Sequence, residues 1–144
     1  MGKVYDKLIK CYDCFKEKID FEPKIALVLG SGLGDYADGI KVVAELDYHD
    51  IEGFPVSTVP GHQGKYIFGY DEVPVVCMKG RVHYYEGYNI SDVVLPIRLM
   101  KLMGAKVLFL TNASGGINMS FQAGDFMLIK DQIANFVPSP LIGP

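Results

Sequence analysis

Cysteine is scarce in this 144-residue chain. Cys11, Cys14 and Cys77 are the only three, and they cannot all pair with one another. An odd, sparse count in a chain long enough to bury a core excludes a disulfide scaffold and predicts a reducing, cytoplasmic setting. Positive charge is short as well. Fourteen Lys and Arg face seventeen Asp and Glu, a formal net charge of −3. No general basic surface is left to hold nucleic acid or an anionic membrane, so any anion contact has to be a local site. Long apolar runs are missing too: none approaches the ~18 residues of a membrane span. The opening Met1-Gly2-Lys3-Val4-Tyr5-Asp6-Lys7 lacks the apolar core of a signal peptide. Internal repeats, low-complexity tracts and linkers are absent. What is there, 49% hydrophobic and 22% charged residues, has the proportions of an ordinary globular domain. At about 150 residues per domain, one domain is expected. It can bury roughly 68–70% of its unfolded surface without a metal or disulfide.

The apolar pattern predicts an α/β fold. Val4, Leu8, Cys11, Tyr12, Phe15 and Ile19 recur at helical spacing over residues 3–19. Pro23 ends that segment. Ile25 to Leu29 is a short, fully apolar run of the kind found in buried strands. Val42 to Leu46 is a second candidate strand, and Lys65 to Tyr70 with Val73 to Lys79 reads as a hairpin turning at Asp71-Glu72. Ser91 is a candidate cap for a helix to Met103, with Pro96 kinking its start and Gly104 as its stop. Val107 to Leu110 predicts another buried strand, and Phe126 to Ile129 one more. Buried strands alternating with helices predict a sheet covered on both faces. The closing Val137-Pro138-Ser139-Pro140-Leu141-Ile142-Gly143-Pro144 carries apolar residues with nothing after them to pack against.

Two of these strands empty into small-residue turns. Gly30-Ser31-Gly32-Leu33-Gly34 follows the first, where backbone N–H groups and the Ser31 hydroxyl could converge on an anion. A dinucleotide fingerprint is excluded, because Asp35 stands where its last Gly belongs, and no Gly-Lys-Ser/Thr of a P-loop occurs. A tight strand-to-helix turn is the other reading of these glycines. Thr111-Asn112-Ala113-Ser114-Gly115-Gly116 is the second such turn.

Arg81-Val82-His83-Tyr84-Tyr85-Glu86-Gly87 is the densest polar and aromatic cluster. On an extended segment Arg81 and His83 share one face while Val82 points the other way. A guanidinium beside an imidazole suits a phosphate, with Glu86 placed to orient one of the donors. A solvated Arg–Glu pair among surface tyrosines is the competing reading. His62 lies in a flexible Gly61-His62-Gln63-Gly64 turn. Cys11 and Cys14 make a C-x-x-C within the first helix, without a second ligand pair for zinc or the βαβ context of a redox motif. No Ser-His-Asp arrangement, carboxylate pair or metal-ligand set stands out.

Taken together, Leu29-Gly30-Ser31-Gly32-Leu33-Gly34, Pro60-Gly61-His62-Gln63-Gly64, Gly80-Arg81-Val82-His83-Tyr84-Tyr85-Glu86-Gly87 and Thr111-Asn112-Ala113-Ser114-Gly115-Gly116-Ile117-Asn118 resemble the trimeric purine nucleoside phosphorylase family, in its inosine–guanosine branch. They stand in that family's order and span most of the chain. The resemblance implies a three-layer α/β/α fold around a mixed, partly barrel-like sheet, and a homotrimer. It implies reversible phosphorolysis of a purine nucleoside to free base and ribose 1-phosphate, with inorganic phosphate as co-substrate and no cofactor or metal. Carried over residue by residue, it assigns Ser31, Arg81, His83 and the Ala113 backbone N–H to the phosphate, and His62 to the phosphate entrance. Tyr85 would border the ribose, and Glu86 would support the phosphate network beside His83.

Family members continue beyond the point matched by Pro144, and the further part carries the purine-binding acidic and amide residues and another phosphate-site Ser. Residues 1–144 are therefore expected to form the N-terminal portion of a single phosphorylase domain, inactive alone. A methylthioadenosine phosphorylase and a non-catalytic phosphate-binding or assembly fragment of the same fold are the competing expectations.

Overall fold

The computed structural model describes residues 2–57 and 64–142. The chain opens with helix α1 (Lys3–Lys18), whose buried Leu8, Cys11 and Phe15 fall at the spacing of one helical face. Asp6 in its first turn and Lys16 and Lys18 in its last complement the helix dipole. Strand β1 (Ile25–Leu29) follows, then a three-ten segment (Gly34–Gly39), β2 (Lys41–Asp47) and a second three-ten turn (Tyr48–Asp50). Strands β3 (Lys65–Asp71) and β4 (Val73–Lys79) form the expected hairpin, turning at Glu72 with φ of 58°. After a third three-ten turn (Tyr84–Glu86) come α2 (Ile90–Val93), α3 (Leu95–Leu102) and β5 (Val107–Leu110).

The five strands lie in the order β2-β3-β4-β1-β5. β3 runs antiparallel to β2 and β4, whereas β4, β1 and β5 are mutually parallel. The sheet is mixed and open, not closed into a barrel. Alternation along the central strands sorts side chains onto two faces. Ala26, Val28, Tyr66, Phe68, Val76 and Met78 meet α1 and α3 on one face, where Phe15 stacks on Phe68 at 5.5 Å between ring centroids. Leu29, Ile67, Val75 and Cys77 point to the other, covered by Ala37 and Ile40 of the first three-ten segment and its continuation.

Three expectations are corrected. The helix expected from Ser91 to Met103 is two helices, α2 and α3, with Val94 between them. Pro96 falls in the first turn of α3, where its missing N–H costs nothing. Ser91 lies inside α2 and does not cap it; Asn89 precedes the helix instead. Gly104, at φ 117°, follows the end of α3 as expected. Strand β5 forms but is not buried: among the described residues it pairs with β1 alone, and all four of its side chains are exposed. Phe126 to Ile129 is not a strand. The segment has no ladder partner among the described residues, and Phe126 and Leu128 are almost fully exposed.

Candidate functional site at the carboxyl ends of the parallel strands

Because β4, β1 and β5 are parallel and in register, their carboxyl ends open at one sheet edge, the usual ligand position in open α/β sheets. Leu29 leads there into Gly30, Lys79 into Gly80 and Arg81, and Leu110 into Thr111. Thr111 ties the first and last of these exits together. Its N–H and its hydroxyl both donate to Val28 O, at 3.1 and 2.9 Å. Its Oγ1 accepts the Gly30 N–H at 2.8 Å. The approach is so close that a Cβ on residue 30 would stand 2.6 Å from Thr111 O and 2.8 Å from Asn112 Cα. Here glycine is required by space.

Gly80, at φ 90°, redirects the chain as it leaves β4. Its carbonyl accepts the Tyr48 hydroxyl at 2.9 Å. Burial raises the Tyr48 pKa well above the usual phenol range, so the hydroxyl remains a donor. Beyond it, Arg81 and His83 sit on one side of an extended segment while Val82 is buried on the other, as their alternation predicts. Arg81 donates through Nη1 to Thr111 O at 3.2 Å and through Nε to His83 Nε2 at 3.4 Å. One side chain thus joins the β4 exit to the β5 exit.

Glu86 anchors the other end of this row. Its side chain is 2% exposed, and Oε1 accepts both the His83 N–H at 2.7 Å and His83 Nδ1 at 3.0 Å. Oε2 accepts the Ser57 hydroxyl at 3.0 Å. This pairing sets Nδ1 of the imidazole toward the carboxylate and Nε2 toward Arg81. The His83–Glu86 reciprocal cap also closes the Tyr84–Glu86 turn. Tyr85 stacks on the His83 ring at 4.8 Å, with 17° between planes, and is 76% exposed. It also lines a recess of about 1220 Å³ shared with Tyr5, Tyr84, Tyr88 and Leu141.

The structure therefore brings Arg81, His83 and Glu86 into one hydrogen-bonded row. It sets the turns bearing Ser31 and Ala113 beside that row through Gly30 and Thr111, with Ser31 and Ala113 themselves exposed. His62 lies outside the described residues. Two contributors escaped the sequence reading. Thr111 is visible in sequence only as the polar residue ending an apolar strand. Ser57 reaches Glu86 across 29 residues, a distance no local pattern reveals. Among the described residues no group of three or more His, Cys, Asp or Glu side chains could hold a metal, and no helix is long and apolar enough to cross a membrane.

Residues 24–144 match the phosphorylase superfamily. The chain is 52% identical over 130 residues to purine nucleoside phosphorylase 1 of Geobacillus stearothermophilus, a match covering 90% of this chain and 47% of that protein. To purine nucleoside phosphorylase 1 of Bacillus subtilis it is 47% identical over 140 residues, 96% of this chain and 52% of the relative. A solved purine nucleoside phosphorylase in complex with ribose-1-phosphate superposes with a TM-score of 0.79 and 42% identity, over 87% of this chain and 47% of that one. The chain spans about half the length of the relatives it matches.

Proposed function

The chain belongs to the phosphorylase superfamily, and from that premise we propose that it provides the phosphate side of a reversible purine nucleoside phosphorolysis of the inosine–guanosine type. The observation that carries this reading is the row Thr111–Arg81–His83–Glu86 at the shared exit of three parallel strands. In this reaction phosphate itself attacks the anomeric carbon of the ribose as the glycosidic bond loosens. The protein needs no nucleophile of its own and no cofactor. Its task is to fix the anion beneath the sugar and to stabilise charge as it moves, which is catalysis by positioning and electrostatics.

In this reading the Ser31 hydroxyl, the guanidinium N–H groups of Arg81 not engaged by the protein, His83 and the Ala113 N–H hold the phosphate. His62 lies at the phosphate entrance. Glu86 holds His83 in one orientation, and the exposed ring of Tyr85 borders the ribose. A homotrimer in the cytoplasm completes the proposal.

The test is calorimetric titration of inorganic phosphate into the protein and its Arg81→Ala variant, run beside phosphate-dependent cleavage of inosine and of methylthioadenosine. Losing a charge-assisted contact of about 1.5–3 kcal/mol is expected to weaken phosphate by tenfold or more, with a smaller change in nucleoside affinity. Equal losses for both substrates would make Arg81 a structural residue. Preference for methylthioadenosine would move the proposal to that class.

A further inference from the structure

We propose that Cys11 and Cys14 form a dithiol modification site, which exchanges with a small-molecule disulfide, closes to an intrahelical bridge and frees the 50–54 loop from helix α1. The two residues stand one turn apart in α1, and both thiols end on the same short loop. Cys11 Sγ donates to Glu52 O at 3.6 Å, and Cys14 Sγ donates to Asp50 O at 3.3 Å. Cys11 is fully buried in the main core, whereas Cys14 is half-buried and reaches solvent. One thiol of the pair is thus accessible to a reagent and the other is held behind it.

Helix geometry puts the two Cα atoms about 5 Å apart, inside the 4.4–6.8 Å range that a disulfide spans. Their Cβ atoms, about 5–6 Å apart on a regular helix, must close to roughly 3.5–4.5 Å. The bridge therefore forms by turning both sulfurs toward each other and away from the loop. Such a strained bridge is readily reduced, so the modification is reversible.

The chemistry balances with one disulfide reagent. The Cys14 thiolate attacks one sulfur of the reagent, whose S–S bond breaks to release a thiolate that takes up a proton. Cys11 then loses its proton and attacks Cys14 Sγ, displacing the second reagent thiol. Two protein thiols are oxidised and one reagent disulfide is reduced to two thiols. Burial pushes the Cys11 thiol up, as does charge on Cys14, so the accessible thiol reacts first. Cys77 lies on the other face of the sheet, fully buried, with its thiol pushed up to about 11. It has no part in the exchange.

Oxidation removes both S–H protons, so Asp50 O and Glu52 O lose their donors together. The loop they anchor inserts Ile51 and Phe54 into the core and turns at Gly53 with φ 73°. It runs on to Ser57, which holds Glu86 of the anion row. A thiol event on α1 thereby reaches the segment that supports His83.

Treatment of the protein with oxidised glutathione tests this. The expected product has lost two hydrogens, mapped by digestion to the peptide bearing Cys11 and Cys14, with Cys77 still free to alkylate after unfolding. The amide protons of Ile51 and Phe54, which close the loop onto Tyr48 O and Ile51 O, then exchange about tenfold faster, and dithiothreitol restores them. Cys14→Ser, which keeps a donor to Asp50 O, shows neither the bridge nor the faster exchange. A stable glutathione adduct on Cys14 without closure, oxidation at Cys77, or a bridge that leaves Ile51 and Phe54 unchanged would each overturn the proposal.

Discussion

Residues 2–110 and residues 111–142 are both rich in apolar side chains, yet they treat them in opposite ways. In the first stretch Tyr66, Phe68, Leu99 and Met100 have no more than a trace of exposure. In the second, Ile117, Met119, Phe126 and Phe136 are more than nine-tenths exposed. The two stretches differ in their neighbours more than in hydrophobicity. β3, β4 and β1 each have a strand on both sides and covered faces, so most of their apolar residues meet another surface. Bonds within 112–142 are mostly local, as between Asn118 and Ser120 or Gln122 and Asp125. The Arg98 guanidinium reaching Pro140 O is a tie from outside. Burial requires a second surface, and an apolar sequence supplies only one of the two.

The largest expected effect sets the two stretches directly against each other. Phe68 is fully buried between Phe15 and Phe21, so Phe68→Ala should cost about 3–5 kcal/mol in urea unfolding. Phe126→Ala, at a side chain 99% exposed, should fall within about 0.5 kcal/mol of the parent. Comparable losses at both positions would abolish the contrast.

Glycine sharpens the same comparison at the site. Gly30→Ala drives a Cβ against the backbone of Thr111 and Asn112, where no flexible side chain can yield. It should cost roughly 1–3 kcal/mol and weaken phosphate by parting the two turns. Gly115→Ala, with nothing within 4 Å of the new Cβ, should leave stability within about 0.5 kcal/mol. Chemical denaturation with phosphate titration of both variants distinguishes a close approach from a merely flexible turn.

Alkaline pH offers a third division, because residues 111–144 contain neither Tyr nor Cys. Burial pushes Cys77 up to about 11, and holds Tyr48 and Tyr66 well above the phenol range. Unfolded, these groups ionise near ~8.5 and ~10. Their folded values are raised, so the stability they contribute is complete below about pH 8.5 and is lost as pH climbs. For Cys77 alone the loss approaches about 3 kcal/mol by its folded value. Urea midpoints at pH 8 and pH 10.5 read it; a flat profile would show that the packed core is open to hydroxide.

How much was legible in advance follows the same division. α1, β1, β2, the hairpin and β5 could be placed because each rests on local periodicity or on a turn. The exposure of β5 could not, since a four-residue apolar run looks the same at a sheet edge and at its centre. Phe126 to Ile129 failed for a related reason: a strand needs a partner, and apolar character does not name one. At the site, the spacing of Arg81 and His83 foretold their shared face, and Glu86 three residues on was close enough to expect. Thr111 against Gly30, and Ser57 against Glu86, join residues far apart in sequence. Only the strand order makes them neighbours.

The smallest effect asks whether the contrast follows sequence position or burial. Asp47 belongs to the packed stretch but is itself exposed, with its side chain 55% accessible. Its Oδ1 accepts the His49 N–H at 2.9 Å and His49 Nδ1 at 2.8 Å, and these bonds hold the carboxyl below the usual range. A lowered value contributes stability above the ordinary carboxylate pKa of ~3.9, lost as pH falls through the folded value. Solvent screening keeps such an exposed pair small, under about 1 kcal/mol. Asp47→Asn should therefore shift the urea midpoint at pH 7 only slightly, and should flatten what little acid dependence this pair adds. An effect as small as that of Phe126→Ala would place the boundary between buried and exposed atoms rather than between residues 110 and 111. A loss above about 2 kcal/mol would instead show that the cap holds Tyr48, and with it Gly80, in place.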